Sequence, residues 1–333
     1  MVVGEGGFRR TVRGLSEAAF RERFGDEASC RQALFELRWR DGIVCPACRG
    51  RSFCALQTRQ VFQCNRCKKQ LRLTAGTVFD NTKLPLTTWF LAIYHLTQSK
   101  GGISSIELGR RLGVKQPTAW LMKHKLMRVM AEREAKKPKL AGRIELDDSY
   151  LGGERSGGKR GRGAAGKTPV VAAVETTAER KPRRVKLTVV KGFRKKEVEK
   201  LAKRDFMPGS NVVSDGLSCW PAVEKAGCTH FPMRTGSGRQ ASRWKPFALR
   251  RQGRRSLRDR SRHGGWVNTL LGNVKTALAG TYHHVSAKHA RSYLASFAYR
   301  FNRRYQLDSI VERLAWAAVR TAPHPYHAIT ADA

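Results

Sequence analysis

The chain has 333 residues, with 65 Lys and Arg against 26 Asp and Glu, so its formal net charge is +39. Hydrophobic residues make up 41 %, enough for a buried core, which excludes a globally disordered chain. No apolar run approaches the ~18 residues of a membrane span, and residues 1–15 lack the apolar stretch of a secretory signal. We expect a cytoplasmic, nucleoid-associated protein with no membrane partner. A polyanion, above all nucleic acid, would balance the charge better than solvent alone.

Two Cys-x-x-Cys knuckles follow a helical segment that we predict over residues 1–41. Fifteen residues separate Cys45 and Cys48 from Cys64 and Cys67, a spacing typical of zinc sites. Four thiolates close a tetrahedral shell, so the Zn²⁺ would be structural. A redox motif is the alternative, but such a motif is not doubled at this spacing. We therefore predict a zinc ribbon over residues 42–80, with a strand at Gln60–Gln63 and with Cys30 and Cys54 as spare thiols.

The next segment, residues 81–135, has the pattern of a helix-turn-helix. A helix is predicted over 84–100, and a capping box from Ser104 to Glu107 begins a second one. Gly113 lies in a tight turn, and Pro117 suits the first turn of a third helix. This is the outline of a DNA-binding domain, although an ordinary helical hairpin has the same pattern. The candidate contacts to bases and phosphates are Lys115, Gln116, Thr118, Lys123 and Lys125.

The hydrophobic period then changes to that of strands, and residues 140–310 are predicted to form the catalytic half. Strands are expected at 143–150, 169–174, 184–190 and 211–215, with a helix at 194–204 before the last strand. This α/β order is that of an RNase H-like core, in which the first and fourth strands are neighbours.

Asp147 and Asp215 end those two strands, so we expect their carboxylates to meet. Paired carboxylates in a basic protein favour Mg²⁺ or Mn²⁺ and phosphodiester chemistry. The alternative interpretation is that both aspartates are simply solvated residues at the ends of their strands. Alternation along the strand predicts that Asp148 points to the opposite face and leaves Glu145 as an accessory ligand.

Three further patterns receive other interpretations. The segment Gly161–Thr168 formally matches a phosphate-binding P-loop, but Pro169 opens a strand where that motif needs a helix. His283, His284 and His289 have no acid or cysteine at metal spacing. Three arginines form a basic face that fits DNA phosphates or plain solvation equally well: Arg300, Arg303 and Arg304.

Several short motifs carry a resemblance to a known family. They are the two cysteine knuckles, Leu73–Phe79, Leu146–Gly153, Ser214–Gly216, Trp266–Thr269 with Lys275, and Tyr299–Arg304. In this order they resemble the transposases of bacterial insertion sequences, in the zinc-ribbon subgroup with an Asp-Asp-Asn-Lys variant of the DDE motif. The resemblance implies an RNase H-like nuclease that cuts transposon ends and joins them to target DNA.

The resemblance also implies roles for individual residues. Asp147, Asp215 and Asn268 would be catalytic ligands of Mg²⁺, and Lys275, two helical turns after Asn268, would hold a phosphate of the transposon end. Hydrolysis would leave a 3′-OH, which then attacks target DNA at the same two-metal site. The partner would be double-stranded DNA. Synapsis of two ends implies a homodimer or a higher oligomer.

One segment departs from the family pattern. Nine arginines lie between Arg239 and Arg262, and this Arg-rich stretch (239–265) separates Asp215 from Asn268 by more than the family does. It is interpreted as an insertion or as a short out-of-frame translation. A non-catalytic DNA-binding regulator, an inactive relic and a structure-selective nuclease therefore stay open as alternatives. Residues 311–333 are expected to form a C-terminal tail.

Overall fold

The computed structural model describes residues 14–152, 166–233, 265–282 and 285–331. The chain divides into two compact units, one made of Met1–Arg133 with Arg303–Ala333 and the other of Glu134–Asn302. The arginines from Arg239 to Arg262, the first part of the formal P-loop and the pair His283–His284 lie outside the described residues. Within the described ranges, none of the helices is both long enough and apolar enough to span a membrane.

The first unit has a helical core lined with aromatic side chains. Helix α1 begins after Ser16, whose hydroxyl accepts the N–H of Ala19 (3.1 Å), and Asp26 caps α2 through the N–H of Ser29 (2.8 Å). Ring centroids of Phe20 and Tyr94 lie 4.5 Å apart. The helices of this core are α1 (Glu17–Phe24), α2 (Glu27–Arg38), α3 (Leu86–Gln98) and α9 (Ile310–Ala318).

The end of the chain forms helices that belong to this unit. Helix α9 buries Ile310, Val311 and Leu314 and packs on α2 and α3, and α10 (Tyr326–Ala331) follows it. The expected tail at 311–333 is therefore helical over much of its length. The apolar spacing of these residues, rather than their terminal position, determines this.

The ribbon is a three-stranded antiparallel sheet between α2 and α3. Its strands are β1 (Phe53–Leu56), β2 (Val61–Cys64) and β3 (Gln70–Arg72). Strand β2 lies one residue later than the strand predicted from the sequence. The ring of Phe62 contacts Phe35 and Trp39 of α2, each with centroids 5.3 Å apart, so this sheet is packed on the helical core.

The three helices predicted between residues 84 and 135 are present. They are α3, α4 (Ser105–Leu112) and α5 (Gln116–Ala135). The Ser104 hydroxyl accepts the N–H of Glu107 (3.1 Å) at the start of α4. Gly113 ends α4 with φ 67°, a left-handed conformation that glycine adopts without steric cost. The turn chemistry therefore sets the junction between α4 and α5.

The second unit contains a mixed five-stranded sheet. Its strands are β4 (Arg143–Leu151), β5 (Thr168–Thr176), β6 (Pro182–Val189), β7 (Asn211–Ser214) and β8 (Thr229–Pro232). Their order is β6-β5-β4-β7-β8, with antiparallel pairing up to β4 and parallel pairing beyond it. The predicted adjacency of the first and fourth strands is confirmed. Strand β8 was not predicted, and because β5 follows Lys167, no helix begins where a P-loop would need one.

Helices cover both faces of this sheet. The side chains of β5 show which helices cover which face. Val171 and Ala173 belong to one apolar cluster, and Val170, Ala172 and Val174 belong to the other. Helix α6 (Lys195–Asp205) and a 3₁₀ helix (Trp220–Ala226) lie on the first face. Helices α7 (Gly265–Tyr282) and α8 (Ala287–Phe301) lie on the second. A strand buried on both faces explains the unbroken apolar run in β5.

The contribution of Glu27 to the stability of the first unit can be tested. Its two carboxylate oxygens accept the N–H groups of Leu86 (3.0 Å) and Thr87 (3.1 Å), at the start of α3, where Pro85 provides no side-chain cap. We expect Glu27→Ala to lower the free energy of unfolding by about 1 kcal/mol, as loss of a helix cap does. Urea unfolding followed by circular dichroism measures this. Glu22→Ala, at an exposed position of α1, is the control, and equal losses in both variants would contradict the capping role.

Candidate metal centres

The four cysteines of the knuckles converge in the structure. Their Sγ atoms all lie within 4.8 Å of one another, and the pairs Cys45–Cys67 and Cys48–Cys64 are both 3.5 Å apart. Zn–S bonds of about 2.3 Å in a tetrahedron place sulfur atoms about 3.8 Å apart, so this donor set fits Zn²⁺. The region is a zinc ribbon with a cluster of four cysteines.

The two knuckles share one backbone design. Arg49 and Lys68, each four residues after the first cysteine of its knuckle, have φ 61° and donate their N–H to the carbonyl of that cysteine (3.0 and 2.9 Å). The N–H of Cys48 lowers the pKa of the Cys45 thiol to about 6, and the N–H of Cys67 lowers that of Cys64. The loops therefore favour the thiolate form of the first cysteine in each knuckle.

The two cysteines outside the pattern behave as expected. Burial raises the pKa of the Cys30 thiol to about 12, and its Sγ donates to the carbonyl of Phe24 (3.4 Å). Cys54 is exposed on β1, and its thiol donates to the carbonyl of Gln63 (3.6 Å). Neither belongs to the four-cysteine cluster.

A second cluster lies where β7 ends beside β4. Asp147, Asp148 and Asp215 each offer a carboxylate oxygen, and these oxygens lie within 4.8 Å of one another. All three residues are half-buried. The pairing of β4 with β7 stops at Leu146 and Ser214, so Asp147 and Asp215 come directly after it. The prediction that these two carboxylates lie close together is confirmed.

The prediction that Asp148 points away from Asp147 is wrong. Strict alternation holds where a strand has neighbours on both sides, but β4 continues past the end of β7. Among the described residues no strand pairs with that edge of β4 beyond Leu146, so side chains from either face can turn toward Asp215. The N–H of Asp148 also donates to the carboxylate of Asp147 (2.8 Å), which draws the two residues together.

Sequence reasoning missed the residue that orients Asp215. The indole Nε1–H of Trp220 donates to Asp215 Oδ1 (2.6 Å), and the N–H of Leu217 donates to the same oxygen (3.2 Å). Trp220 is completely buried at the start of the 3₁₀ helix. A tryptophan five residues after an acid was the only signal, and it carries no periodicity. These two donors fix the direction of the Asp215 carboxylate.

Glu145 has a different role from the accessory ligand that we expected. It is 1 % exposed, and its Oε1 accepts from Arg143 Nη1 (2.6 Å). Its Oε2 accepts the N–H groups of Trp266 (3.1 Å) and Val267 (3.2 Å), in the first turn of α7. Both oxygens are therefore occupied, and Glu145 is not part of the carboxylate cluster. It attaches α7 to the strand that carries Asp147.

Helix α7 carries the two remaining residues that the resemblance singled out. It buries Val267, Leu270, Leu271 and Val274 and leaves Asn268 and Lys275 exposed. These two are seven residues apart and share a helix face. A Cβ added at Gly272, between them, would meet no atom of the described residues within 4 Å.

The structure corrects two of the predicted DNA contacts. Lys123 is 1 % exposed, because α5 is enclosed around most of its circumference. Arg300 is buried in α8, desolvation lowers the pKa of its guanidinium, and it donates to the hydroxyl of Ser296 (2.8 Å). Neither side chain lies on a surface that DNA could reach.

The other predicted contacts are accessible to different degrees. Lys115 and Gln116 are exposed at the start of α5, and the Gln116 amide donates to the hydroxyl of Ser105 (2.9 Å). Thr118, Lys125, Arg303 and Arg304 are half-buried. Burial lowers the pKa of Lys125.

Comparison with known proteins agrees with this architecture. Residues 139–302 match the family described as the ISXO2-like transposase domain, and residues 25–70 match the transposase zinc-ribbon domain. A Halobacterium salinarum protein described as an uncharacterized protein in transposable element ISH50 is 31 % identical over 148 residues. That alignment covers 42 % of this chain and 49 % of the relative, about half its length.

The fold and the two clusters thus define a class of protein: a zinc ribbon combined with a mixed sheet that carries an aspartate cluster where β7 ends beside β4. Residues 139–302 form a transposase domain of the ISXO2-like DDE type, and residues 25–70 form a transposase zinc ribbon.

The zinc site can be tested against a cysteine outside it. We expect the purified full chain to contain zinc, Cys64→Ser to lose it and become sensitive to protease within the ribbon, and Cys54→Ser to keep it, because only Cys64 belongs to the cluster. Metal content by mass spectrometry and limited proteolysis measure this. Zinc retained in Cys64→Ser at the wild-type level would contradict the assignment.

The role of Glu145 predicts a graded loss of stability. Glu145→Ala leaves Arg143 without its buried partner and two N–H groups of α7 without an acceptor, so we expect a loss of roughly 3 kcal/mol in the free energy of unfolding. Glu145→Gln keeps an acceptor and loses less. Hydrogen exchange of α7 should accelerate in the same order. Exposed Glu224→Ala is the control, and unchanged exchange of α7 in Glu145→Ala would rule out the attachment.

Proposed function

We propose that this chain is a metal-dependent DNA transposase that binds the inverted repeats of its element, cleaves the ends and joins the 3′-OH to target DNA. The observation that carries the proposal is the convergence of Asp147, Asp148 and Asp215 at the edge of β4. It occurs inside the segment that matches the transposase domain. The net charge of +39 supports a polyanionic substrate.

We propose that the second unit is an RNase H-like core. The support is the strand order β6-β5-β4-β7-β8, in which an antiparallel meander of three strands is followed by parallel strands next to the first. In such a core the chemistry lies where the first and fourth strands end together. The boundaries proposed from the sequence are 42–80 for the ribbon and 140–310 for the core. The second unit ends at Asn302, so residues 303–310 of the proposed core belong to the first unit.

The first unit supplies a proposed helix-turn-helix. Helices α4 and α5 meet at Gly113, and the exposed start of α5 presents Lys115 and Gln116. The proposed contacts also include four half-buried residues: Thr118, Lys125, Arg303 and Arg304. Lys123 and Arg300 are left out because they are buried. Short helices joined by a glycine turn, with the second beginning in polar residues, suit the major groove.

The donor set of the aspartate cluster fits Mg²⁺ or Mn²⁺. Half-buried carboxylates with room for water and phosphate are the ligands that these hard cations take. When bound, a pair of such ions activates the attacking oxygen and stabilises the leaving oxygen of a phosphodiester. Asp147, Asp148 and Asp215 would hold them, with Trp220 fixing the direction of Asp215.

Helix α7 would complete the site from the other side. Asn268 would offer an amide oxygen, and Lys275 would hold a phosphate of the transposon end. An amide carries no charge, so in this chain Asp148 would supply a third negative charge beside the ions.

The reaction has two balanced steps. In the first, water attacks phosphorus and the P–O3′ bond breaks, which leaves a 3′-OH on the transposon end and a phosphate on the flank. In the second, that hydroxyl attacks a phosphodiester of target DNA, and a target 3′-OH leaves. One bond forms for each that breaks, so no nucleotide cofactor is required.

End joining tests this proposal directly. Labelled duplexes from the flanks of the gene are incubated with plasmid, Mn²⁺ and the full chain. We expect joined product from the wild type, none from Asp147→Asn or Asp215→Ala, and less from Asp148→Asn, together with weaker Mn²⁺ binding in all three. Asp308→Asn, at an exposed acid outside the cluster, is the matched control.

Each other outcome selects a different function. Binding without cleavage by the wild type would favour a regulator or an inactive relic. Nicks without joined product would favour a structure-selective nuclease. Full activity of Asp215→Ala would refute the metal site itself.

A further inference from the structure

The zinc ribbon has an open groove on one side, which we call the ribbon groove. It lies between the end of α2, the first knuckle and β3. The lining residues that matter here are Arg38, Trp39, Arg59, Lys69 and Arg72.

The charge of the groove is not compensated. Residues 42–106 contain nine Lys and Arg against a single acid, Asp80. Arg59, Lys69 and Arg72 are exposed, and none of them forms an ion pair within the parts of the chain that the structure describes. Uncompensated cations that share one concave surface repel one another, and a polyanion relieves that repulsion.

Arg38 belongs to the framework of the groove instead. Its guanidinium donates to the carbonyls of Arg72 (3.1 Å), Leu73 and Ala75 (2.6 Å), and burial lowers its pKa. It also lies 4.8 Å from the centre of the Trp39 ring. These bonds attach β3 and the following turn to α2, so the groove has a fixed wall. Arg59, Lys69 and Arg72 therefore lie beside a wall that these hydrogen bonds hold in place.

The corrected set of DNA contacts leaves the ribbon without an assigned role beyond zinc binding. Lys123 and Arg300 are buried, and the remaining candidates lie on α5 and after α8. The ribbon is a separate structure with most of its exposed charge of one sign. Contacts from lysine and arginine to phosphates fix the position of a protein on the duplex without reading its sequence.

We propose that the ribbon groove binds the phosphate backbone of duplex DNA through Arg59, Lys69 and Arg72. This rests on the proposed function, because it takes the transposon end as the occupant. The groove adds affinity and fixes register, while base recognition belongs to other elements. Each phosphate contact releases counterions, so each contributes about −0.9 to the slope of log K against log salt concentration.

The test compares two triple variants that remove the same charge. Arg59→Gln/Lys69→Gln/Arg72→Gln removes the groove cations, and Arg51→Gln/Lys83→Gln/Lys100→Gln removes exposed cations outside the groove. Binding of a labelled duplex from the element's end is measured by anisotropy between about 50 and 200 mM salt. Zinc content confirms that each ribbon is folded.

We expect the groove variant to lose up to about 2.7 from the magnitude of the slope, and the control variant to lose less than about 0.9. Equal losses in the two variants would overturn the proposal, because they would indicate diffuse attraction. An unchanged groove variant would overturn it as well. Should the triple variant lose zinc, Lys69→Gln alone is measured, with an expected loss of about 0.9.

Failure of the groove and failure of the proposed function give different results. If the wild type does not bind the duplex at all, the transposase proposal fails. If the wild type binds and joins ends while both triple variants keep the same slope, only the groove proposal fails.

Discussion

The candidate active site depends on where one short strand ends. Strand β7 has four residues, and its pairing with β4 stops at Leu146 and Ser214. Strand β4 continues for five more residues along β5, which keeps it extended while no described strand pairs with its other edge. The next residues on both sides of this edge are aspartates.

The second constraint is the buried carboxylate of Glu145 on β4. It accepts the N–H of Trp266 in α7, which lies 121 residues later in the sequence. Together with Val267, Leu270 and Val274, it sets the position of this helix on the sheet. Asn268 and Lys275 are therefore placed by the first turn of α7 and its apolar face. The cost of closing a loop rises only slowly with length, so a longer connection before α7, such as the Arg-rich stretch, is compatible with the same site.

The parts of this structure that the sequence predicts are those set by local spacing. Knuckle spacing predicts the four-cysteine cluster, alternation predicts β4 and β6, and an unbroken apolar run predicts β5. The errors have tertiary causes. The direction of Asp148 depends on the end of a neighbouring strand, and the burial of Lys123 and Arg300 depends on packing around α5 and α8. Trp220 bonds to Asp215 only because the 3₁₀ helix turns back over β7, and β8 is too short for a periodic signal.

The distribution of charge connects the two proposals. Divalent ions need negative charge concentrated at one point, and DNA needs positive charge spread over a surface. Three aspartates at one strand edge provide the first within a chain of net charge +39. Because the cluster supplies negative charge to its own ions, the exposed cations of the ribbon groove and Lys115, just before α5, remain available for phosphates. Removing an aspartate should therefore change metal binding and chemistry, whereas removing a groove cation should change only affinity and its dependence on salt.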